Sequence, residues 1–234
     1  MTSPETPAGG AGSHLKLIDV SHVIEDGMVT YKGLPAPSIC DYLGRDASRA
    51  HYGRDTSFHI GRIEMVANTG TYVDAPFHRY ADGVDIAGLP LASIANLPGV
   101  IVRIPDGVRA IDADRFRDRD VRGKAVIVHT GWDRHWRTER YFEGHPFLTG
   151  EAAEYLRDGG TALVGIDSVN IDDIADPARP VHTTLLGAGI PIVEHLCRLD
   201  ALPDSGFAFY AAPARVKGLG SFPVRAFGLI PACP

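Results

Sequence analysis

Cysteine is scarce in this sequence, and long apolar or basic runs are missing from it. The three cysteines are odd in number and widely spaced, at Cys40, Cys197 and Cys233. This spacing argues against a disulfide framework or a zinc finger and favours a reducing compartment. No stretch approaches the roughly 20 apolar residues that cross a bilayer. A net charge of -6 without Lys or Arg clusters argues against nucleic acid or an anionic membrane as the main partner. We therefore expect a small-molecule partner and a cytoplasmic location.

The composition is that of a folded globular protein. Apolar residues make up 44% and charged residues 22% of the chain, which can bury a core without a disulfide or a structural metal. Residues 1–13 are rich in Ser, Thr, Pro, Ala and Gly and have neither a basic start nor an apolar stretch. They are predicted to form a flexible tail rather than a signal peptide. The 234 residues thus indicate one domain over 14–234.

Short apolar runs bounded by Pro, Gly or polar residues predict a strand-rich α/β fold. Segment 41–56 is polar and without periodicity, so we expect a flexible flap there. Helical patterns occur near 112–118, 149–158 and 182–188. The predicted strands are 15–20, 59–66, 100–104, 125–130, 161–166, 190–193, 207–211 and 224–230.

The order strand, helix, strand over 125–166 predicts a right-handed parallel crossover. It would bring segment 130–132, which includes Trp132, and Asp167 to one carboxyl edge of a sheet, where ligands usually bind. Trp132 could wall a planar substrate or simply pack under a loop, and Asp167 could support a site or bond backbone amides. His22, which follows the first strand, could face the site or cap a turn.

Segment 68–78 carries the densest set of reactive groups. An extended chain places alternate residues on one face, so Asn68, Tyr72, Asp74 and His78 are expected to converge. From spacing alone, a turn in which Asp74 accepts backbone N–H bonds and His78 lies at the surface explains the pattern equally well.

At this point the chain resembles the cyclase family that includes bacterial kynurenine formamidases, which are metal-dependent hydrolases. The signature of that family is H-x-G-T-H-x-D-x-P-x-H. The matching positions in this sequence are Gly70, Thr71, Asp74, Pro76 and His78.

The resemblance extends from about residue 17 to 225. Segment 19–22 is similar to the family's opening D-L-S-H, and 130–132 and 165–167 are similar to its later strand-end motifs. His182 and Glu194 stand where the family places its second pair of metal ligands. Without the resemblance, a core histidine bonded to Glu194 would be the simpler interpretation.

Two positions depart from the family. Asn68 and Tyr72 replace two metal-binding histidines, and an amide oxygen or a protonated phenol is a poor substitute for imidazole. An intact two-metal site is therefore not expected. The remaining donors implied by the resemblance are Asp74, His182 and Glu194, with Asn68 as a further oxygen. This set would hold one divalent ion, zinc or manganese, or none.

The resemblance implies a partly open β-barrel with surrounding helices, assembled as a homodimer or homotetramer. It also implies hydrolysis of an amide, lactone or ring C–N or C–O bond in a small cyclic or aromatic compound. With a metal-activated water, His78 would act as general base. One alternative is a metal-free cyclase or lactone-opening enzyme in which Asp74 orients His78 and Tyr72 donates to an oxyanion. Another is a catalytically silent member that binds a small molecule.

Overall fold

The computed structural model describes residues 15–53 and 55–231, so the predicted tail, residues 1–13, lies outside the described residues. The α-helices among them are α1 (Arg45–Tyr52), α2 (Gly150–Asp158) and α3 (Pro180–Gly187). In chain order the strands are β1 (Lys16–Asp19), β2 (Ser38–Leu43), β3 (Ile60–Glu64), β4 (Tyr72–Asp74), β5 (Leu97–Arg103), β6 (Ala110–Ile111), β7 (Ala125–His129), β8 (Phe147–Leu148), β9 (Leu163–Ile166), β10 (Ile192–Glu194), β11 (Ser205–Tyr210), β12 (Ser221–Pro223) and β13 (Phe227–Ile230). The architecture is mixed α/β and strand-rich, as predicted.

One curled sheet organises the chain. Its strand order is β1-β13-β11-β5-β7-β9-β10-β4-β12, parallel from β5 to β10 and antiparallel on both sides. The run 221–230 pairs with β4 at one edge through β12 and with β1 at the other edge through β13. A bridge between Ser21 and Leu196 adds a further link between distant strands. Because one chain segment serves both edges, the sheet curls into the predicted partly open barrel.

The predicted parallel crossover is confirmed. Strand β7 pairs with β9 in parallel, and α2 connects them. Thr149 caps α2, since its side chain accepts a hydrogen bond from the N–H of Ala152. The crossover brings residues 130–131 and Asp167 to the same sheet edge, where they hydrogen-bond to each other.

Side chains alternate between two cores on the faces of the sheet, as the pleat requires. Ile101 and Ile127 point into the barrel, which is filled by one apolar cluster. Val126 and Val164 point outward into a second cluster that α2 and α3 cover. Both faces of the central strands are therefore buried, and this explains why these strands are short, continuous apolar runs.

Segment 41–56 is more ordered than its sequence suggests. The expected flap instead contains the end of β2 and the whole of α1, and β2 pairs with β3 in a separate two-stranded hairpin. Ser48 holds α1 to the hairpin, because its hydroxyl donates to Arg45 O and accepts from the N–H of Phe58. Only Ser48 of this helix is buried, and its apolar residues are two alanines and a tyrosine, so its sequence gives little sign of a face that packs on the core.

Two further differences concern the helices. The helical pattern near 112–118 yields only a short 3-10 turn, Ala113–Arg115, whereas the pattern near 182–188 belongs to α3, which begins earlier, at Pro180. Proline fits the first turn of a helix because its missing N–H is not needed there. Among the described residues, every helix is too short or too polar to cross a bilayer.

The contact between β5 and β11 yields a stability prediction. A Cβ atom added at Gly99 would lie 2.2 Å from a ring carbon of the buried Phe207. We expect Gly99→Ala to lower the free energy of unfolding by about 1–3 kcal/mol through overpacking. The control is Gly61→Ala in the exposed β3, where the nearest atom would be 3.4 Å away. Urea unfolding monitored by tryptophan fluorescence measures both, and equal midpoints would contradict the packing argument.

Candidate functional site

A cavity of about 290 Å³ opens at the end of the barrel where β4, β10 and α3 meet. Five of the residues predicted for the site line it: Asn68, Tyr72, His78, His182 and Glu194. Its remaining lining residues, which come from loops and the turns beside them, are Tyr31, Leu34, Arg79, Asn170 and Arg179.

The Asp74 carboxylate is fully buried beneath this cavity. One oxygen, Oδ1, accepts a short hydrogen bond from the Ser221 hydroxyl, whose residue lies directly opposite Asp74 in the β4–β12 register. The other oxygen, Oδ2, is buried without a hydrogen-bond partner among the described residues. It lies 3.6 Å from Nε2 of His182. A buried carboxylate oxygen without a donor is costly, so it calls for a cation beside it.

His182 is oriented from behind by Asp172. The Asp172 carboxylate accepts hydrogen bonds from the N–H groups of Val181 and His182 in the first turn of α3, at 2.7 and 3.0 Å. It also lies 2.6 Å from Nδ1 of His182. Nε2 is thereby turned toward Asp74 and toward Oε1 of Glu194, 3.7 Å away. A metal-binding histidine commonly has a carboxylate bound to one ring nitrogen, and this bond fixes the direction of the other ring nitrogen.

Tyr72 and Glu194 form a buried pair across two strands. They face each other in the β4–β10 register, and the Tyr72 hydroxyl donates to Oε2 of Glu194 at 2.6 Å. Oε1 of Glu194 accepts from the N–H of Ile171 at 2.7 Å. Burial and the negative charge of Glu194 raise the pKa of Tyr72 well above its usual value. The phenol therefore stays protonated and directed at the carboxylate.

His78 closes the cluster on its solvent side. It lies on the 3-10 turn Pro76–His78, its side chain is 36% exposed, and its Nδ1 is 2.9 Å from the Ser221 hydroxyl. The amide nitrogen of Asn68 donates to the same hydroxyl at 3.2 Å. Because the Ser221 proton goes to Asp74, the hydroxyl is an acceptor for Nδ1–H of His78. This leaves Nε2 of His78 as the unprotonated nitrogen.

The imidazole of His182 offsets the negative charges of the carboxylates around it. Burial alone would lower the pKa of His182, but its hydrogen bond to Asp172 and the negative charges of Asp74 and Glu194 raise it to about 10. Burial raises the pKa of Glu194 to about 7, with His182 acting against that shift and Asp74 reinforcing it. Positive charge is thus favoured between the carboxylates of Asp74 and Glu194.

The donors fit a divalent ion. Asp74, His78 and His182 each offer an atom, and these three atoms lie within 4.8 Å of one another. One carboxylate oxygen and two imidazole nitrogens make up this set, and zinc or manganese accepts such donors. The predicted ligands Asn68 and Glu194 lie beside this cluster. The Asn68 amide already donates a hydrogen bond to Ser221, and Glu194 already accepts one from Tyr72.

Three residues predicted to contact substrate have other contacts. Within the described residues, none of them lines the cavity. Asp167 accepts hydrogen bonds from the N–H groups of residues 130 and 131 and so fixes the turn after β7. The Trp132 indole is buried and donates to Tyr141 O at 2.9 Å. The His22 ring stacks on Trp136 at 3.9 Å between centroids.

Neither Ser221 nor the site role of Asp172 was predicted from the sequence. Ser221 is 147 residues from Asp74, and only the pairing of β12 with β4 brings the two together. Asp172 lies eight residues before α3, outside the capping positions, so only the fold brings its carboxylate to the first N–H groups of the helix. Tyr31, Arg79 and Arg179, which also line the cavity, carried no pattern in the sequence.

The fold and the site together define an α/β half-barrel protein with a carboxylate–histidine centre below a small cavity. The model of the Cyclase family matches residues 18–173. The kynurenine formamidase of Geobacillus thermodenitrificans is 30% identical to this chain over 172 residues, which are 73% of this chain and 79% of that protein. The chain belongs to the Cyclase family, and the resemblance inferred from its motifs is confirmed.

Solved structures agree with this assignment. A potential metal-dependent hydrolase with cyclase activity is 28% identical and superposes with a TM-score of 0.71, over 92% of this chain and 98% of that one. Isatin hydrolase A from Labrenzia aggregata, bound to benzyl benzoate, has 21% identity and a TM-score of 0.77 over 93% and 94% of the two chains. At that identity the second likeness shows the fold alone.

The buried ring of His22 predicts a pH-dependent loss of stability. Burial lowers its pKa to about 4 in the folded protein, compared with 6.5 for an exposed histidine. Between these values the unfolded chain binds one more proton, so this group destabilises the fold as the pH falls through 6.5. His22→Phe keeps a ring against Trp136 and should reduce the stability lost between pH 7 and 5 by about 1 kcal/mol, after allowance for the exposed part of the ring.

Thermal or urea unfolding at pH 7 and pH 5 measures this difference. His51→Phe on the exposed α1 serves as the control, because it removes a solvated histidine. An equal pH dependence in the His22 variant and the wild type would show that His22 is not the group that titrates.

Proposed function

We propose that this protein hydrolyses the C–N bond of an amide in a small aromatic compound, with the help of one divalent ion, zinc or manganese. The observation that carries the proposal is the buried Asp74 carboxylate, whose unpartnered Oδ2 lies beside Nε2 of His182 at the base of the cavity. The kynurenine formamidase relative supports an amide-bond hydrolase, and the metal-dependent hydrolase relative supports a divalent ion.

Asp74 and His182 would hold the ion, with Glu194 beside them. When bound, the ion supplies a Lewis acid that polarises the substrate carbonyl and lowers the pKa of a water molecule. The hydrogen bond from Asp172 keeps Nδ1 of His182 occupied, so that Nε2 is the nitrogen that faces the ion site. Tyr72 holds Oε2 of Glu194 and thereby fixes the orientation of that carboxylate.

We assign His78 as the general base. Its Nδ1–H is held by Ser221, so Nε2 is free to take a proton from the attacking water and later to give it to the leaving amine. Its partial exposure at the rim allows exchange of that proton with solvent. Ser221 is in turn held by its hydrogen bonds with Asp74 and Asn68. The orientation of the His78 ring therefore depends on the pairing of β4 with β12.

The cavity suits one aromatic ring with a short substituent. Its volume of about 290 Å³ is at the small end of ligand sites, and Tyr31, Tyr72 and Leu34 provide flat or apolar walls. Polar groups are concentrated at the base and rim. Such a distribution orients an amide toward the histidines while the ring lies against the tyrosines.

Metal content and turnover separate the roles of Asp74 and His78. Asp74→Asn should lose the ion and the activity, because it removes a charged donor. His78→Ala should keep the ion while kcat for a simple formanilide falls about 10²- to 10⁴-fold, the usual contribution of a general base. Inductively coupled plasma mass spectrometry on protein purified without chelators gives the ion content, and release of the aryl amine gives the rate.

His51→Ala on the exposed α1 controls for loss of a surface histidine. Loss of the ion in His78→Ala would make His78 a ligand rather than the base. Less than about a tenth of an equivalent of any metal in wild-type protein incubated with zinc or manganese, together with activity that survives chelators, would contradict the metal-dependent reaction. That result would favour the metal-free cyclase or lactone-opening alternative.

Assembly as a homodimer or homotetramer and a cytoplasmic location stay predictions. The β2–β3 hairpin supports assembly, because it exposes apolar side chains that a single copy leaves in water: Ile39, Tyr42, Phe58, Ile60 and Ile63. Light scattering after size exclusion should give a mass of at least twice 25.1 kDa. Ile63→Lys should lower that mass, and a wild-type monomer at micromolar concentration would contradict the prediction.

A further inference from the structure

Two glycines pack directly on the backbone of the 3-10 turn that carries His78. A Cβ atom added at Gly220 would lie 2.5 Å from Cα and 2.6 Å from the amide nitrogen of His78. A Cβ atom added at Gly83 would lie 2.6 Å from the carbonyl carbon of Pro76, at the start of the same turn. Side chains do not approach a backbone this closely, so both positions require glycine.

These two contacts differ from those of the other glycines in the part of the chain that the structure describes. Elsewhere, an added Cβ atom that would come closer than 3.0 Å to another atom first meets a side chain, such as Phe207 beside Gly99. A side chain can move aside, whereas a backbone turn moves as a unit. Neither Gly83 nor Gly220 has a positive φ, so the lack of space alone requires glycine there. Both constraints act on a single turn of three residues.

Hydrogen bonds join the turn to both of the segments that carry these glycines. The N–H of Ala75, just before the turn, donates to Gly220 O at 2.7 Å. The N–H of Phe77, within the turn, donates to Val84 O at 3.0 Å. Close packing and hydrogen bonding therefore fix the turn against each segment.

The two segments are also fastened to each other. The N–H of Ile86 donates to Leu219 O at 2.9 Å. The N–H of Gly218 donates to the Asp85 carboxylate at 2.7 Å. Together the segments form one hydrogen-bonded frame for the turn, residues 83–86 and 218–220.

The frame leads directly into the residue that holds the His78 ring. Ser221 follows Gly220, and its hydroxyl lies 2.9 Å from Nδ1 of His78. Carbon atoms in contact are normally about 3.5 Å apart, so a methyl group at Gly220 would push the turn away by about 1 Å. A shift of that size would stretch the contact with the Ser221 hydroxyl beyond hydrogen-bond length.

We propose that Gly220 and Gly83 are positioning residues, whose lack of a side chain lets the frame hold the His78 ring beside Asp74 and His182. This inference rests on the proposed role of His78 as general base, and it adds the contacts that set the position of that base. A general base must lie within hydrogen-bond reach of the proton that it takes. A misplacement of about 1 Å can lower a rate about a hundredfold.

Single substitutions measure the effect on turnover. Gly220→Ala and Gly83→Ala should lower kcat for a simple formanilide about ten- to a hundredfold, with less than about a threefold change in KM. Gly99→Ala is the matched control, because its added methyl group meets Phe207 in the barrel core. That variant should be less stable but, while folded, should keep kcat within about twofold of the wild type.

A double-mutant cycle distinguishes positioning from a general structural role. If Gly220 acts through His78, its substitution has nothing left to misplace once the imidazole is removed. The rate of His78→Ala/Gly220→Ala should then equal that of His78→Ala within about twofold. A further ten- to hundredfold fall in the double variant would overturn the proposal, because it would show that Gly220 supports the whole site.

A milder variant tests the frame if a glycine variant does not fold. Asp85→Ala leaves both glycines in place and removes the exposed hydrogen bond to the N–H of Gly218. It should lower kcat about three- to tenfold, the effect of losing one hydrogen bond. Asp82→Ala removes an exposed carboxylate from the same loop and serves as the control. Equal kcat values for the two variants would overturn the proposal, since the turn would then keep its place without the frame.

Nuclear magnetic resonance separates this inference from the proposed function, because it needs no turnover. In protein incubated with zinc and carrying isotope-labelled histidine, correlations between ring protons and ring nitrogens show which nitrogen of His78 is protonated, and His78→Ala assigns the signals. The wild type should show a proton on Nδ1, and Gly220→Ala and Gly83→Ala should move the nitrogen shifts toward those of Ser221→Ala. These changes support the positioning role even if no amide is hydrolysed. Unchanged shifts overturn it, whether or not amides are hydrolysed.

Discussion

Three buried carboxylates around one imidazole are the constraint on which the site depends. Asp74, Asp172 and Glu194 are each less than about a tenth exposed, and all three approach His182. Negative charges that leave water need a cation or several donors nearby, otherwise their burial opposes folding. His182 provides that cation, and its position depends on the docking of α3 against the sheet. The same concentration of negative charge that costs stability makes the site attractive to a divalent ion.

The sheet register sets the rest of the geometry. Tyr72 and Asp74 are two residues apart on β4, so both side chains point to the same face. Tyr72 lies opposite Glu194 on β10, and Asp74 lies opposite Ser221 on β12. Opposed residues are close enough to interact directly. Two hydrogen bonds of the site are therefore cross-strand pairs, and a one-residue slip of β4 would remove both.

Features that depend on local sequence periodicity could be predicted, whereas features that depend on contacts between distant segments could not. The crossover from β7 to β9 depends on local periodicity and was confirmed, whereas the alternation predicted for 68–78 is limited to β4, and His78 lies on a 3-10 turn. Ser221 and the cavity-lining Arg79 and Arg179 depend on contacts between distant segments, which no single stretch of sequence reports. Helix α1 was missed because it buries only Ser48 and its sequence is mostly polar, so few apolar residues mark its helical period. The Asp167 carboxylate accepts hydrogen bonds from the turn after β7, which is one of the two alternatives that its sequence position left open.

The two altered motif positions fit into the same network. The Asn68 amide donates to Ser221, which holds the His78 ring, and the Tyr72 phenol donates to Glu194. Neither replacement leaves its own side chain unpaired, so the unpartnered buried oxygen of this cluster is Oδ2 of Asp74. Because burial keeps the Tyr72 proton in place, this side of the site contributes no further negative charge or imidazole nitrogen for a second ion. The remaining donors converge on Oδ2 of Asp74, a geometry that favours one ion over two.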